Sequence, residues 1–83
     1  MYIEIEIGKD PENSANCCFV VRTTNCRNLA AEGFEADAPT DTEGWVEMAR
    51  EMAGHFLPSR WDCAKIRPCH DKGSGIVIRW DLD

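Results

Sequence analysis

Cysteine is the first residue type here whose chemistry asks for an explanation: Cys17, Cys18, Cys26, Cys63 and Cys69 are five thiols in 83 residues. Thiolates hold zinc when ligand pairs are separated by about two to four residues. Here five residues lie between Cys63 and Cys69 and eight between Cys17 and Cys26, and no Cys-x-x-Cys occurs. Cys17 and Cys18 are adjacent on a strand-like stretch, so they point to opposite faces and cannot readily share an ion. Nucleophilic use of a thiol needs a base beside it. His70 follows Cys69 directly, and His55 stands near a helix end. Cys63, Cys69 and His70 are therefore the set that a small zinc or thiol protein would use. The odd count, and an N-terminus without a basic leader or an unbroken apolar run, argue against a secreted disulfide framework. The expectation is that most of the cysteines are small buried hydrophobes, with no catalytic residue, no metal ligand set and no cofactor.

Two other patterns could carry chemistry. Lys-Gly-Ser-Gly at 72–75 has the composition of a phosphate loop, but it lacks Gly-x-x-x-x-Gly-Lys and precedes no helix; it reads as a hairpin turn. Arg22, Lys65, Arg67 and Arg79 fall on strands, away from the apolar positions. They would make a basic sheet face for nucleic acid. Pairing across strands with Glu4 and Glu6 is the simpler expectation, since such pairs are ordinary sheet chemistry and no aromatic residues interleave the cations.

The acidic residues are placed more tellingly. Between Glu32 and Glu51 lie Glu32, Glu35, Asp37, Asp41, Glu43, Glu47 and Glu51, with Arg50 the one cation. That segment alone carries −6, the net charge of the whole chain, and the remaining acids and bases balance. Glu43, Glu47 and Glu51 repeat every four residues, a ridge of like charge that costs a helix a few tenths of a kcal/mol per pair. A solvated helix face explains such a ridge through solubility. A surface that meets a basic partner explains it through recognition, because a purely structural helix gains more from alternating signs. An acidic chain is a poor direct ligand for nucleic acid or for anionic membranes.

The elements that must position these residues follow from periodicity. Tyr2 to Ile7 alternates, with Ile3, Ile5 and Ile7 on one face, as a half-buried strand does. Cys17 to Thr24 is a second strand, with Cys17, Phe19 and Val21 on one side. Thr24 to Asn28 is a turn whose two Asn tolerate unusual backbone angles. Leu29 to Asp37 is a third strand of poor alternation, broken at Gly33, and Ala38-Pro39 stops it. Thr40 with Glu43 three residues on matches a capping box. Trp45, Met48, Ala49, Met52, Ala53 and Phe56 then form one apolar stripe, opposite Glu43, Glu47, Arg50 and Glu51, with Pro58 ending the helix. Trp61 to Arg67 and Gly75 to Leu82 are two further strands in a hairpin, the second with Ile76, Ile78, Trp80 and Leu82 on one face. The fold class is α+β: a two-layer domain spanning residues 1–83, order β-β-(β)-α-β-β, with an antiparallel sheet of four to five strands under one amphipathic helix. No apolar stretch approaches the roughly 18 residues of a membrane span, so a cytoplasmic domain is expected.

In this layout (short strands, a helix over Thr42 to Leu57, a final hairpin, a small acidic chain) the sequence resembles the anti-CRISPR and related anti-defence proteins of phages and mobile elements. The resemblance implies inhibition by binding in the cytoplasm of a bacterial host, without a cofactor and without direct nucleic-acid contact. The partner would be a CRISPR surveillance complex or another defence nuclease with a basic surface. Charge placement nominates Glu35, Asp37, Asp41, Glu43, Glu47 and Glu51 as the contacts, pairing with Arg and Lys in place of phosphates. Tyr2 and Trp61 are apolar contacts if exposed. The zinc or thiol protein, the basic-faced nucleic-acid binder and a homodimer through a sheet edge stand as alternatives.

Overall fold

The computed structural model describes residues 1–13, 15–69 and 74–82. Five strands form one antiparallel sheet: β1 (Tyr2–Lys9), β2 (Asn16–Thr23), β3 (Arg27–Glu35), β4 (Lys65–Pro68) and β5 (Gly75–Asp81). Their spatial order is β3-β2-β1-β5-β4. The N-terminal strand is thus central, with the antiparallel pair β2–β3 on one side and the C-terminal hairpin (β4–β5) on the other. The helix α1 (Thr42–Ala53) packs on β1 and β5. This is the expected two-layer α+β plan with all five strands present.

Alternation in β1 selects its buried side. Ile3, Ile5 and Ile7 sit opposite Thr23, Val21 and Phe19 of β2 and opposite Trp80, Ile78 and Ile76 of β5. These side chains, apart from Thr23, form the core with Cys17 and with Trp45, Ala49 and Ala53 from the helix. Small residues at 49 and 53 let the helix lie close to the sheet, and the larger Met48, Met52 and Phe56 pack around its margins. Gly75 (φ 153°) and Gly8 face each other where β1 and β5 come together. A side chain on either would run into the other strand's backbone.

Several boundaries differ from the sequence reading. The helix is capped by Asp41, whose carboxylate accepts from the Gly44 amide at 2.8 Å, and not by Thr40. Asp41 is still extended (φ −139°, ψ 169°), so it occupies the position from which a side chain reaches the third helical amide. Glu43 is then the second helical residue, one place too early to close a box with Asp41. Gly44 is needed there, because a side chain would meet Pro39 at 2.6 Å. The α-helix ends at Ala53, and Gly54–Phe56 continues it as a 3₁₀ turn before Leu57 extends.

The third strand runs two residues earlier than its pattern suggests, at Arg27–Glu35. A bulge at Val21/Arg22 leaves Leu29 between the partners of those two residues, which explains the poor alternation. Asn25 takes φ 73° in the turn before it, as an Asn can. Trp61–Cys63 is a 3₁₀ turn and not the start of β4. It turns because the Trp61 ring packs edge-on against Trp80, with centroids 4.8 Å apart. The Trp80 indole N–H donates to the Arg60 carbonyl at 3.0 Å. Leu82 lies past the end of β5 and is 38% exposed, whereas Val77, on the open face, is only 3% exposed.

Candidate protein-binding surface

All six nominated acids are exposed. Glu35 ends β3 and Asp37 lies in the connection that leads to the helix. Asp41 caps the helix, and Glu43, Glu47 and Glu51 follow along its outer side. Among the described residues none of the six forms an ion pair; the four ion pairs present all belong to Glu4, Glu6 and Asp81. Arg50, the one cation of the segment, rests its guanidinium over the Trp61 ring at 4.7 Å. A cation held on an aromatic face is drawn toward the Trp61–Trp80 pair, and among the described residues it makes no ion pair with the ridge.

Asp41, Glu43 and Glu47 share a cleft of about 530 Å³ with Thr42, Gly44, Val46, Arg50 and Ile66. Glu47 and Glu51 flank Arg50 in a second, shallower depression. Glu35 and Asp37 border neither. The structure therefore joins four of the six acids along the helix and leaves Glu35 and Asp37 apart from them.

The cleft also contains two residues that charge alone does not point to. Ile66 pairs with Ile78 and so faces the helix side of the sheet, yet it is 45% exposed. The helix packs on β1 and β5, and all four residues of β4 stay exposed. Val46, half-buried, forms the other apolar part of the cleft. The sequence signal for Ile66 was its position as one apolar residue between Lys65 and Arg67. Its exposure depends on how far across the sheet the helix reaches, which local pattern does not encode.

The open face of the sheet is arranged differently. Arg22 donates to Glu6 at 3.1 Å and lies 3.8 Å from Glu4. Lys65 and Arg79 both donate to Asp81, at 2.7 and 2.9 Å. These hydrogen bonds, that from Lys65 first, hold the Asp81 carboxyl below its ordinary range, and the bond to Asp81 raises Arg79. Arg79 also covers the Tyr2 ring at 4.0 Å. Three of the four cations that could have made a basic face are thus committed to carboxylates. Tyr2 and Trp61 are half-buried under arginines and are not open contacts.

Cys18 and Cys69 line one depression together, while Cys17 and Cys63 do not border it. Cys17 is fully buried in the core, and its thiol donates to the Ala36 carbonyl at 3.6 Å. Burial, then the neighbouring Cys18 and Asp37, push it up from the ordinary thiol value, against a smaller pull from Lys9. Cys18, on the other side of β2, is raised by burial and by Asp10 and Glu6. Raised thiols are protonated and poor nucleophiles. Cys63 is exposed in its 3₁₀ turn and donates weakly to Asp62. His70 and residues 71–73, with Lys72 and Gly73 of the Lys-Gly-Ser-Gly turn, lie outside the described residues. Among the described residues no three His, Cys, Asp or Glu side chains cluster as metal ligands would. No described helix is long and apolar enough to cross a membrane.

No family model matches the chain, and no curated protein or solved structure is significantly similar to it.

Proposed function

We propose that this chain is an inhibitory binding domain whose acidic helix docks on a basic, nucleic-acid-binding surface of a bacterial defence complex, in the manner of anti-CRISPR proteins. The observation that carries the reading is the segregation of charge. The whole net charge of −6 lies in one segment, and its exposed acids make no ion pair among the described residues. Carboxylates spaced along a helix offer charge-assisted hydrogen bonds to Arg and Lys in place of phosphates. The cleft beside them adds an apolar element: Ile66 and Val46 receive the aliphatic stem of a long basic side chain while Glu43 and Glu47 take its head. Glu35 and Asp37 contribute through long-range attraction, which speeds encounter more than it tightens the complex. Such a domain acts in the cytoplasm of the bacterial host, by occupancy and without a cofactor.

The test is competition. A purified CRISPR surveillance complex is incubated with labelled target DNA and increasing amounts of this protein, at low and at high salt. Displacement of DNA that weakens with salt is the expected result. Replacing Glu43, Glu47 and Glu51 together by Gln should weaken displacement about tenfold or more while the circular dichroism spectrum stays unchanged. A triple variant that competes as well as the parent sinks the acidic-ridge mechanism.

A further inference from the structure

The sheet has two outer edges, and they are built to opposite specifications. β4 is four residues long, Lys-Ile-Arg-Pro, with two cations and a proline that cannot donate to another strand. β3 is nine residues long, with Leu29-Ala30-Ala31 uncharged near its middle, no proline and Leu29 50% exposed. Its outer edge pairs with no strand among the described residues. Natural proteins usually guard so long an edge with lysine, proline or a bulge; here there is a bulge at Leu29 but no lysine or proline, and the charges sit toward the ends and at Glu32. Arg27 opens the strand and Glu35 closes it.

We infer that β3 is the pairing edge for a second copy of this chain, joined antiparallel about a two-fold axis at Ala31. The charges select this arrangement. Antiparallel pairing brings the Arg27 end of each copy to the Glu35 end of the other, whereas parallel pairing sets like against like. With the axis at Ala31, Leu29 lies opposite Gly33 of the second copy, a position without a side chain, and Ala30 lies opposite its Glu32. Moving the axis to Glu32 would set two carboxylates face to face, which is unfavourable for directly opposed residues. Because the β4 edge is closed, pairing through β3 ends at two subunits and a ten-stranded sheet, and does not run on into a fibre. A two-fold axis normal to the sheet leaves both helices on the same side. The inference rests on the strand edges and is independent of the acidic-helix reading.

Sedimentation velocity of the whole chain, from low-micromolar to near-millimolar concentration, is the test. A species of twice the chain mass should grow in with concentration. Ala31→Lys, at an exposed position, should weaken self-association about tenfold or more by placing two ammonium groups at the axis. Arg27→Glu and Glu35→Arg should each weaken it, and the double exchange, which keeps the net charge, should recover most of the loss. A parent that stays monomeric throughout overturns the inference. So does an Ala31→Lys variant that is folded by circular dichroism and dimerises as tightly as the parent. A double exchange that recovers nothing overturns the antiparallel charge pairing.

Discussion

On the open face of the sheet Arg22 bridges Glu4 and Glu6, and Asp81 receives both Lys65 and Arg79, so nearly every charge there has an opposite neighbour. On the helix side Asp41, Glu43, Glu47 and Glu51 stand in a row, and Arg50 is drawn onto Trp61. The two faces are separated by a single layer of strands. One uses charge to brace neighbouring strands, and the other leaves charge unspent. A helix of mixed sign would have been the more stable choice. The cost tolerated on one face and avoided on the other is the strongest physical reason to look for recognition on the helix side.

The largest expected effect concerns the core on the helix side of the sheet. Trp80 is 2% exposed, holds Trp61 edge-on and donates its indole N–H to Arg60. Trp80→Ala should cost about 3–5 kcal/mol, read as a lower urea midpoint. Val77, on the opposite side of the same strand, is as well buried but beneath a thin cover that includes Arg67 and Arg79. Val77→Ala should cost clearly less, since flexible side chains can close over the gap. Equal losses would mean that the open face has a core of its own, and the contrast between a braced face and a working face would need redrawing.

A smaller effect should differ in sign between the faces. Glu47 has a like charge four residues away on each side, so Glu47→Gln should stabilise the domain by a few tenths of a kcal/mol, and the gain should fade as salt rises. Glu6→Gln removes the negative charge that pairs with Arg22 and should destabilise by about 0–1 kcal/mol, as loss of exposed pairs does. Thermal melts of both variants at low and high salt check the pair. If Glu47→Gln destabilises, the helix acids hold structure and their claim to be a free surface falls.

Much of this was open to reading from residue order, and the failures have specific causes. Ile3, Ile5 and Ile7 announce a half-buried strand because period two is a direct consequence of backbone geometry, and the Trp45 to Ala53 stripe announces the helix in the same way. The acidic segment is equally visible, since charge placement is a property of the list of residues. Whether a charge is paired is not: Arg22 meets Glu4 and Glu6 only because β1 and β2 lie in one register. Two competent caps, Thr40 and Asp41, stand side by side, and the backbone turn at Asp41 decides between them. Trp61 looked like strand because aromatics favour strands, and tertiary packing against Trp80 overrode that preference. The apolar part of the cleft, Ile66, could be found only once the helix was seen to leave β4 uncovered.

The smallest effect tests the braced face through acid. Hydrogen bonds from Lys65 and Arg79 lower the Asp81 carboxyl below its ordinary value. The folded state therefore binds that proton less readily than the unfolded chain does. The stabilisation is complete above the ordinary carboxylate range and disappears as pH falls through the lowered value in the folded protein. Asp81→Asn removes the titrating group, so the acid limb of its stability profile should fall less steeply than the parent's. Denaturation midpoints taken from neutral pH into the strongly acidic range measure this. The group is exposed, so the difference should be slight and should shrink with salt. Parallel acid limbs at low salt would mean that the Lys65–Asp81–Arg79 contacts contribute nothing in solution. The contrast between the faces would then rest on Arg22 and its two glutamates alone.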